Sequence, residues 1–358
     1  MDILGSEATT MSENNPFNIL FGIAPTSLIS REPEFQSIYD SFLAESSNSQ
    51  AYIITGPRGS GKTVSMVEIA DRFKKMDKWL VVELNPDGDM LEQLASKLID
   101  EGKLKKLFLK AEFNFSFKGF GFSISGSEPI LNVSTLLKRE FEYLTKKNYR
   151  VLITVDEVSS DQNMKVFAHE FQLLIRDHNA AYLLMTGLYK NVALLERQKN
   201  LTFLVRAPKI HLGELNKRAI THNYMNVFDI DEKAATKLTK LTNGYAFAYQ
   251  LLGDILFTSG KKEADKYVLQ RYDELLQERA YDLVYDELSA KEREILDAAC
   301  TDPSNEFILG QLDISPNQLS NYKKGLYLKG VISSNYRKKI VFALPRFAQY
   351  LNFVRELE

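Results

Sequence analysis

A chain of 358 residues with 44% hydrophobic and 26% charged residues is ordinary for a soluble globular protein and long enough for two or three domains with proper cores. A net charge of −2 excludes overall attraction to nucleic acid, so any such attraction has to be local. One cysteine, Cys300, excludes an internal disulfide, and no apolar run approaches the ~20 residues needed to span a membrane.

Cys300 falls on the apolar side of a helical pattern, which predicts core packing and a cytoplasmic setting. No basic region precedes an apolar one at the N-terminus, so no signal peptide is visible. Residues 1–16 are polar and read as an arm. Ser30-Arg31-Glu32-Pro33-Glu34 predicts a helix capped by Ser30 and running to about Ala44. The irregular apolar stretch before it, with Phe21, Gly22 and Ile23, has two readings: a cover for the base of a nucleotide, or a latch on the core.

The most specific stretch follows. Ala51 to Thr55 is an apolar strand, and Gly56-Pro57-Arg58-Gly59-Ser60-Gly61-Lys62-Thr63 opens a helix continuing through Val64. Strand, glycine loop and helix in that order make a phosphate-binding P-loop. The glycines let successive N–H groups point at an anion, and the helix adds its N-terminal dipole. Lys62 then reaches the β- and γ-phosphates, and the Thr63 hydroxyl holds Mg²⁺. ATP or ADP with Mg²⁺ is the expected ligand.

A buried strand, Trp79 to Leu84, and a helix from about Asp89 to Ile99 come next. Strands alternating with helices of this length predict an α/β fold with a parallel sheet covered on both faces. Between about 112 and 125, Phe113, Phe115 and Phe117 alternate with polar residues, and the alternation resumes after Gly119-Phe120. This predicts a β-hairpin, packed on its own domain or offered to DNA or a neighbouring subunit.

After a helix over about 132–147, Val151-Leu152-Ile153-Thr154-Val155-Asp156-Glu157 is a strand ending in two acids, a Walker B pattern. Asp156 is the expected Mg²⁺ ligand, and Glu157 the residue that orients and deprotonates the attacking water. A helix over about 164–178 precedes the strand Ala181 to Thr186. Thr186 is either a sensor of the γ-phosphate or simply a strand residue. Arg206 precedes a last short strand. His169, His178, His211 and His222 lack metal-ligand spacing.

From Glu214 the pattern is helical: about 214–227, 231–242 and 245–258, then a long charged amphipathic helix from Lys261 to Glu287 that reads as a connector, its charged side solvated or offered to a protein partner. Two capping boxes, Ser289 to Glu292 and Ser315 to Gln318, open helices beyond it. With a short helix at 307–312 and the segments 330–334 and 339–343 flanking a polar tip, residues 288–358 read as a winged helix-turn-helix. Between Ser315 and Tyr350 there are seven basic residues and no acidic one, leaving −9 for the rest of the chain. Lys323, Lys324, Arg337, Lys338 and Lys339 are candidate phosphate contacts, and Asn317, Gln318, Ser320, Asn321 and Tyr322 candidate readers of base edges. Such modules also dock proteins, so double-stranded DNA and protein partners both remain open.

The order of the P-loop, Val151 to Glu157, Thr186, and Arg206 before Lys209-Ile210-His211-Leu212-Gly213-Glu214-Leu215 resembles the AAA+ ATPases. More closely it resembles archaeal-type ATPases and bacterial mobile-element relatives of the origin-recognition initiators, over about Phe17 to Tyr350. The resemblance implies a P-loop domain over 17–213, a helical lid and connector over 214–287, a homo-oligomer, and Arg206 as an arginine finger that reaches a neighbouring subunit's γ-phosphate or holds the subunit's own. It also implies that Arg31 lies in the segment contacting the base end of the nucleotide. Asn243-Gly244-Tyr245-Ala246-Phe247-Ala248 lacks the arginine such initiators carry in the lid. It is closer to the lid entry of STAND signalling ATPases, without their proline, which implies a slow switch. The functions implied are a DNA-binding ATPase of replication, transposition or DNA maintenance, or a signalling or defence ATPase whose winged helix docks in cis or on a protein partner.

Overall fold

The computed structural model describes residues 15–19, 25–100, 132–198, 201–333 and 337–357. The expected hairpin at 112–125, the residues Phe21, Gly22 and Ile23, and residues 334–336, which include the first half of the polar tip 335–338, lie outside them. Contacts divide the chain into two compact units. One comprises 31–55 and 65–211; the other comprises 1–30, 56–64 and 212–358.

The first unit is built on five parallel strands: β1 (Ala51–Thr55), β2 (Trp79–Leu84), β3 (Arg150–Val155), β4 (Ala181–Gly187) and β5 (Lys209–His211), in the order β2-β3-β4-β1-β5. Between β1 and β3 therefore runs β4, with Ile54 beside Thr186. The helices are α1 (Glu32–Leu43), α2 (Lys62–Lys74, whose first turn belongs to the second unit), α3 (Met90–Asp100), α4 (Val133–Lys146), α5 (Gln162–Arg176), α6 (Tyr189–Glu196) and α7 (Thr202–Arg206).

Strand alternation sorts the side chains onto two faces. Ile53, Val151, Ile153, Val155, Leu183 and Met185 share one core with α3, α4 and α5. On the other, an aromatic cluster joins Phe42 of α1 and Phe73 of α2 to Tyr52, Trp79 and Tyr182, with ring centroids 4.4–6.0 Å apart. Both faces are covered, as parallel strands require. Helix α1 starts later than a Ser30 cap would give. Arg31 occupies the cap position without a side-chain cap, and its buried guanidinium holds Glu34 at 3.1 Å.

The second unit carries α8 (Lys217–Phe228), α9 (Glu232–Thr242), α10 (Ala246–Ser259) and α11 (Lys266–Leu276). Helix α11 runs through a π turn (Gln277–Tyr281) into α12 (Asp282–Asp286). The connector is thus shorter than the Lys261 to Glu287 helix read from its charge pattern. Gly260, in the left-handed region at φ 63°, ends α10, and the Asp265 carboxylate caps α11 by accepting the Val268 N–H at 2.9 Å. Phe17 packs among Tyr224, Phe228 and Tyr249, while Asn15 bonds Asp254 at 2.7 Å.

Both capping boxes form, at Ser289–Glu292 and Ser315–Gln318, and start α13 (Ala290–Thr301) and α15 (Pro316–Leu328); α14 (Asn305–Leu312) lies between them. A short antiparallel ribbon follows: Ile332 pairs with Phe342, the Ser333 N–H donates to Val341 O at 2.8 Å, and Ser304 pairs with Lys339. Helix α16 (Phe347–Leu357) closes the chain; its start had no cap signal to reveal it. Among the described residues no helix is long and apolar enough to cross a membrane.

Candidate functional site

The P-loop leaves the carboxyl end of β1 as an irregular turn over 56–61 and enters α2 at Lys62. Gly59 and Gly61 have φ of 67° and 91°, a region that side chains with a Cβ avoid, so this curl depends on glycine. Gly59 has a second constraint: a Cβ there would collide with the Tyr245 hydroxyl and crowd Phe247. Tyr245 Oη donates to Arg58 O at 3.0 Å, and the Phe247 N–H donates to Gly59 O at 3.1 Å. Burial pushes the Tyr245 phenol up, which keeps it a neutral donor. The start of α10 is therefore bonded directly to the glycine loop.

The C-terminal helices reach the same loop. A Cβ on Gly330, itself at φ 73°, would strike the Pro57 ring. Arg58 forms a forked contact with Glu287, from Nε at 3.0 Å and from Nη2 at 2.8 Å. Lys62 is buried, and its Nζ donates to the loop's own carbonyls, Gly56 O at 3.0 Å and Pro57 O at 2.8 Å. Ser60 Oγ is buried with no hydrogen-bond partner among the described residues. An ammonium folded onto its own loop and a buried hydroxyl without a partner fit a phosphate, whose oxygens would satisfy both. Thr63 and Val64 follow in the first turn of α2, half-buried.

In the sheet unit, Asp156 and Glu157 follow β3. Thr186, fully buried in β4, donates its hydroxyl to Asp156 Oδ1 and accepts the Glu157 N–H at 3.1 Å. Glu157 has φ 55°, unusual for a residue with a side chain. The Val158 N–H donates to Thr186 O at 2.9 Å and fixes the turn from its far side. Glu157 is exposed and Asp156 half-buried. Thr55, at the end of β1, contacts His211 Nδ1 through its hydroxyl at 2.6 Å. Arg206 ends α7 with an exposed side chain. No group of three or more His, Cys, Asp or Glu residues suited to a metal occurs among the described residues.

The candidate DNA-reading residues Asn317, Gln318, Ser320 and Asn321 are exposed along the front of α15, and so are Lys324, Arg337, Lys338 and Lys339. Tyr322 instead packs against the core. The Lys323 ammonium bonds Asn305 Oδ1 at 3.0 Å and the Lys339 carbonyl at 3.1 Å, tying the ribbon to α14 and α15; burial lowers its pKa. Lys329 pairs with Glu292 at 2.6 Å, and Arg346 with Asp273. Of the seven basic residues between Ser315 and Tyr350, Lys323, Lys329 and Arg346 are thus engaged internally. The sequence did not single out Glu287 or Gly330; Tyr245 appeared only within the lid-entry motif.

Residues 278–351 match a family described as a domain of unknown function (DUF8462). No curated protein matches the chain. Among solved structures, the Walker-type ATPase PABY2304 of Pyrococcus abyssi is similar at a TM-score of 0.63 and 15% identity, covering 92% of this chain and 97% of that one. The Aeropyrum pernix ORC2 protein, in its ADPNP–ADP complexes, is similar at 0.55 and 13%, covering 95% and 98%. Its ADP form is similar at 0.50 and 14%, covering 95% and 97%. At these identities the likeness is one of fold: the chain has the fold of this Walker-type ATPase and of the ORC2 protein.

Proposed function

We propose that this protein is an ATP-binding, slowly hydrolysing AAA+ switch whose C-terminal module, a winged helix, is its output. The observation that carries this reading is the P-loop itself, gripped by Tyr245 and Phe247 of the lid and by Gly330 and Glu287 of the C-terminal region. A loop in contact with both is placed to pass its occupancy to both. The similar ORC2 protein carries ADPNP and ADP, which supports nucleotide as the ligand.

In this reading the Lys62 ammonium exchanges its two loop carbonyls for β- and γ-phosphate oxygens, and the Ser60 hydroxyl finds its missing partner there. Thr63 and Asp156 would hold Mg²⁺, which neutralises charge on the transferred phosphoryl group. Glu157 takes the proton of the attacking water. Thr186 fixes both acids through one hydroxyl, which orients Glu157 and relays the state of the site. Arg31 and the segment with Phe21, Gly22 and Ile23 complete the base end. Arg206 reaches a neighbouring subunit's γ-phosphate within a homo-oligomer, for which its exposure is the support.

The output we favour is double-stranded DNA, in replication, transposition or maintenance of DNA. Helix α15 would enter the major groove, with Lys324, Arg337, Lys338 and Lys339 on phosphates; their shared exposure supports this. A second reading rests on a specific observation: Gly330 and Glu287 bind the P-loop in cis, as a signalling ATPase with a docked winged helix would have it. The experiment is duplex-DNA binding as a function of salt. Affinity that falls steeply with salt and collapses in a Lys324→Glu/Arg337→Glu/Lys338→Glu variant supports the first reading. Unchanged or absent binding leaves the second.

A further inference from the structure

Helices α8 and α9 run antiparallel in the lid, with Lys217 Nζ 2.9 Å from Asn243 Oδ1 and the Thr221 and Thr239 hydroxyls 2.9 Å apart. Paired helices ordinarily close such a seam with apolar side chains. Here α8 turns Ile220, Tyr224 and Phe228 into the core and presents polar residues along the seam, so a groove of about 740 Å³ remains open. That volume is in the range of small-molecule sites, roughly 300–1,000 Å³.

The groove has a cationic end and a far end that carries Met225 and Glu232. Lys217, Arg218 and Lys240 gather with Asn243 at one end, beside the paired threonine hydroxyls, and Met225 lies toward the other. Lys217 is partly neutralised by Glu214 at 3.0 Å, and the lone acid of the lining, Glu232, starts α9 at the Met225 end. The Thr221 and Thr239 hydroxyls donate within their own helices, to Lys217 O at 3.0 Å and Ala235 O at 2.9 Å, so the three cations are what an anion would meet at that end.

Asn243 gives this groove a consequence elsewhere in the same unit. Its carboxamide accepts from Lys217 at 2.9 Å and donates to Ala343 O at 3.0 Å, in the ribbon that follows α15. An anion drawing on the Lys217 ammonium competes with the Asn243 oxygen and loosens the side chain that holds the ribbon.

We propose that the α8–α9 groove is a second ligand site, distinct from the P-loop, for a small phosphorylated molecule whose phosphate sits among Lys217, Arg218 and Lys240. Its occupancy is read by the C-terminal ribbon through Asn243.

The test uses the full chain carrying Lys62→Ala, with inorganic pyrophosphate as probe and calorimetry as readout. One saturable site, weakened at least tenfold when Arg218→Ala and Lys240→Ala are added without a change in melting temperature, is the expected result. No saturable binding up to about 5 mM probe, or equal binding in the triple variant, overturns the site. For the coupling, probe binding should change hydrogen exchange at the Ala343 amide, and Asn243→Ala should abolish that change. Exchange that ignores the probe overturns the link to the ribbon.

Discussion

One hydroxyl organises both acids of the Walker B turn: Thr186 donates to Asp156 and accepts from the backbone of Glu157. Strand order makes this possible, since β4 lies directly beside β3. Replacing Thr186 with valine keeps the shape and removes the hydroxyl, leaving the Glu157 N–H of this left-handed turn with only its contact to Asp156 Oδ1 at 3.1 Å. ATP binding should change less than about threefold, while turnover falls at least about tenfold, a barrier change of roughly 1.4 kcal/mol. Isothermal nucleotide binding beside a steady-state ATPase assay separates the two. Loss of binding and turnover together would assign Thr186 to the nucleotide pocket instead.

Lys62→Ala and Glu157→Gln should divide binding from chemistry. The first removes the only loop ammonium and should weaken ATP by at least about a hundredfold. The second keeps size and backbone at an exposed position, so binding persists while hydrolysis stops. Normal turnover by Glu157→Gln would remove that residue from the reaction.

Gly330 holds the C-terminal module against Pro57 by having no side chain. Gly330→Ala adds a Cβ where the Pro57 ring lies and forces a left-handed residue, for a cost of about 1–3 kcal/mol. Limited proteolysis should then cut near Leu288 faster than in the parent. Glu287→Gln, which breaks an exposed pair with Arg58, should leave overall stability unchanged. Equal cleavage rates in all three proteins would mean that the docking does not protect the connection.

Glu140 sits in the core of the sheet unit with neither carboxyl oxygen bonded among the described residues, and burial raises its pKa well above the ordinary carboxylate range. A raised folded-state pKa means the stability present below the unfolded value of about 4.3 is lost as pH climbs toward the folded one. Glu140→Met should therefore raise the melting temperature at pH 8 more than at pH 5, with a gain of about 1–3 kcal/mol at the higher pH. An equal gain at both pH values would mean that Glu140 is not the titrating group.

The sheet and its two motifs were legible because each rests on local chemistry. An apolar strand running into Gly56 to Thr63, and another ending at Asp156, need no distant partner to be recognised. The capping boxes at Ser289 and Ser315 formed for the same reason. The Lys261 start of the connector failed because charge periodicity says nothing of where a helix is capped: Asp265 caps it, and 261–265 stay outside the helix. The basic count between Ser315 and Tyr350 could not reveal that Lys323, Lys329 and Arg346 have internal partners, since Asn305, Glu292 and Asp273 all lie outside that stretch. The grip of Tyr245 and Gly330 on the loop was equally hidden, because it joins residues far apart in the chain.

The crowding of Gly59 under Tyr245 makes the phosphate loop of this protein poorly interchangeable. In a loop surrounded by solvent and nucleotide, its third variable position tolerates exchange; here any side chain at Gly59 requires the lid entry to be redesigned with it. A P-loop grafted into this chain from another protein would have to bring its own residue 245.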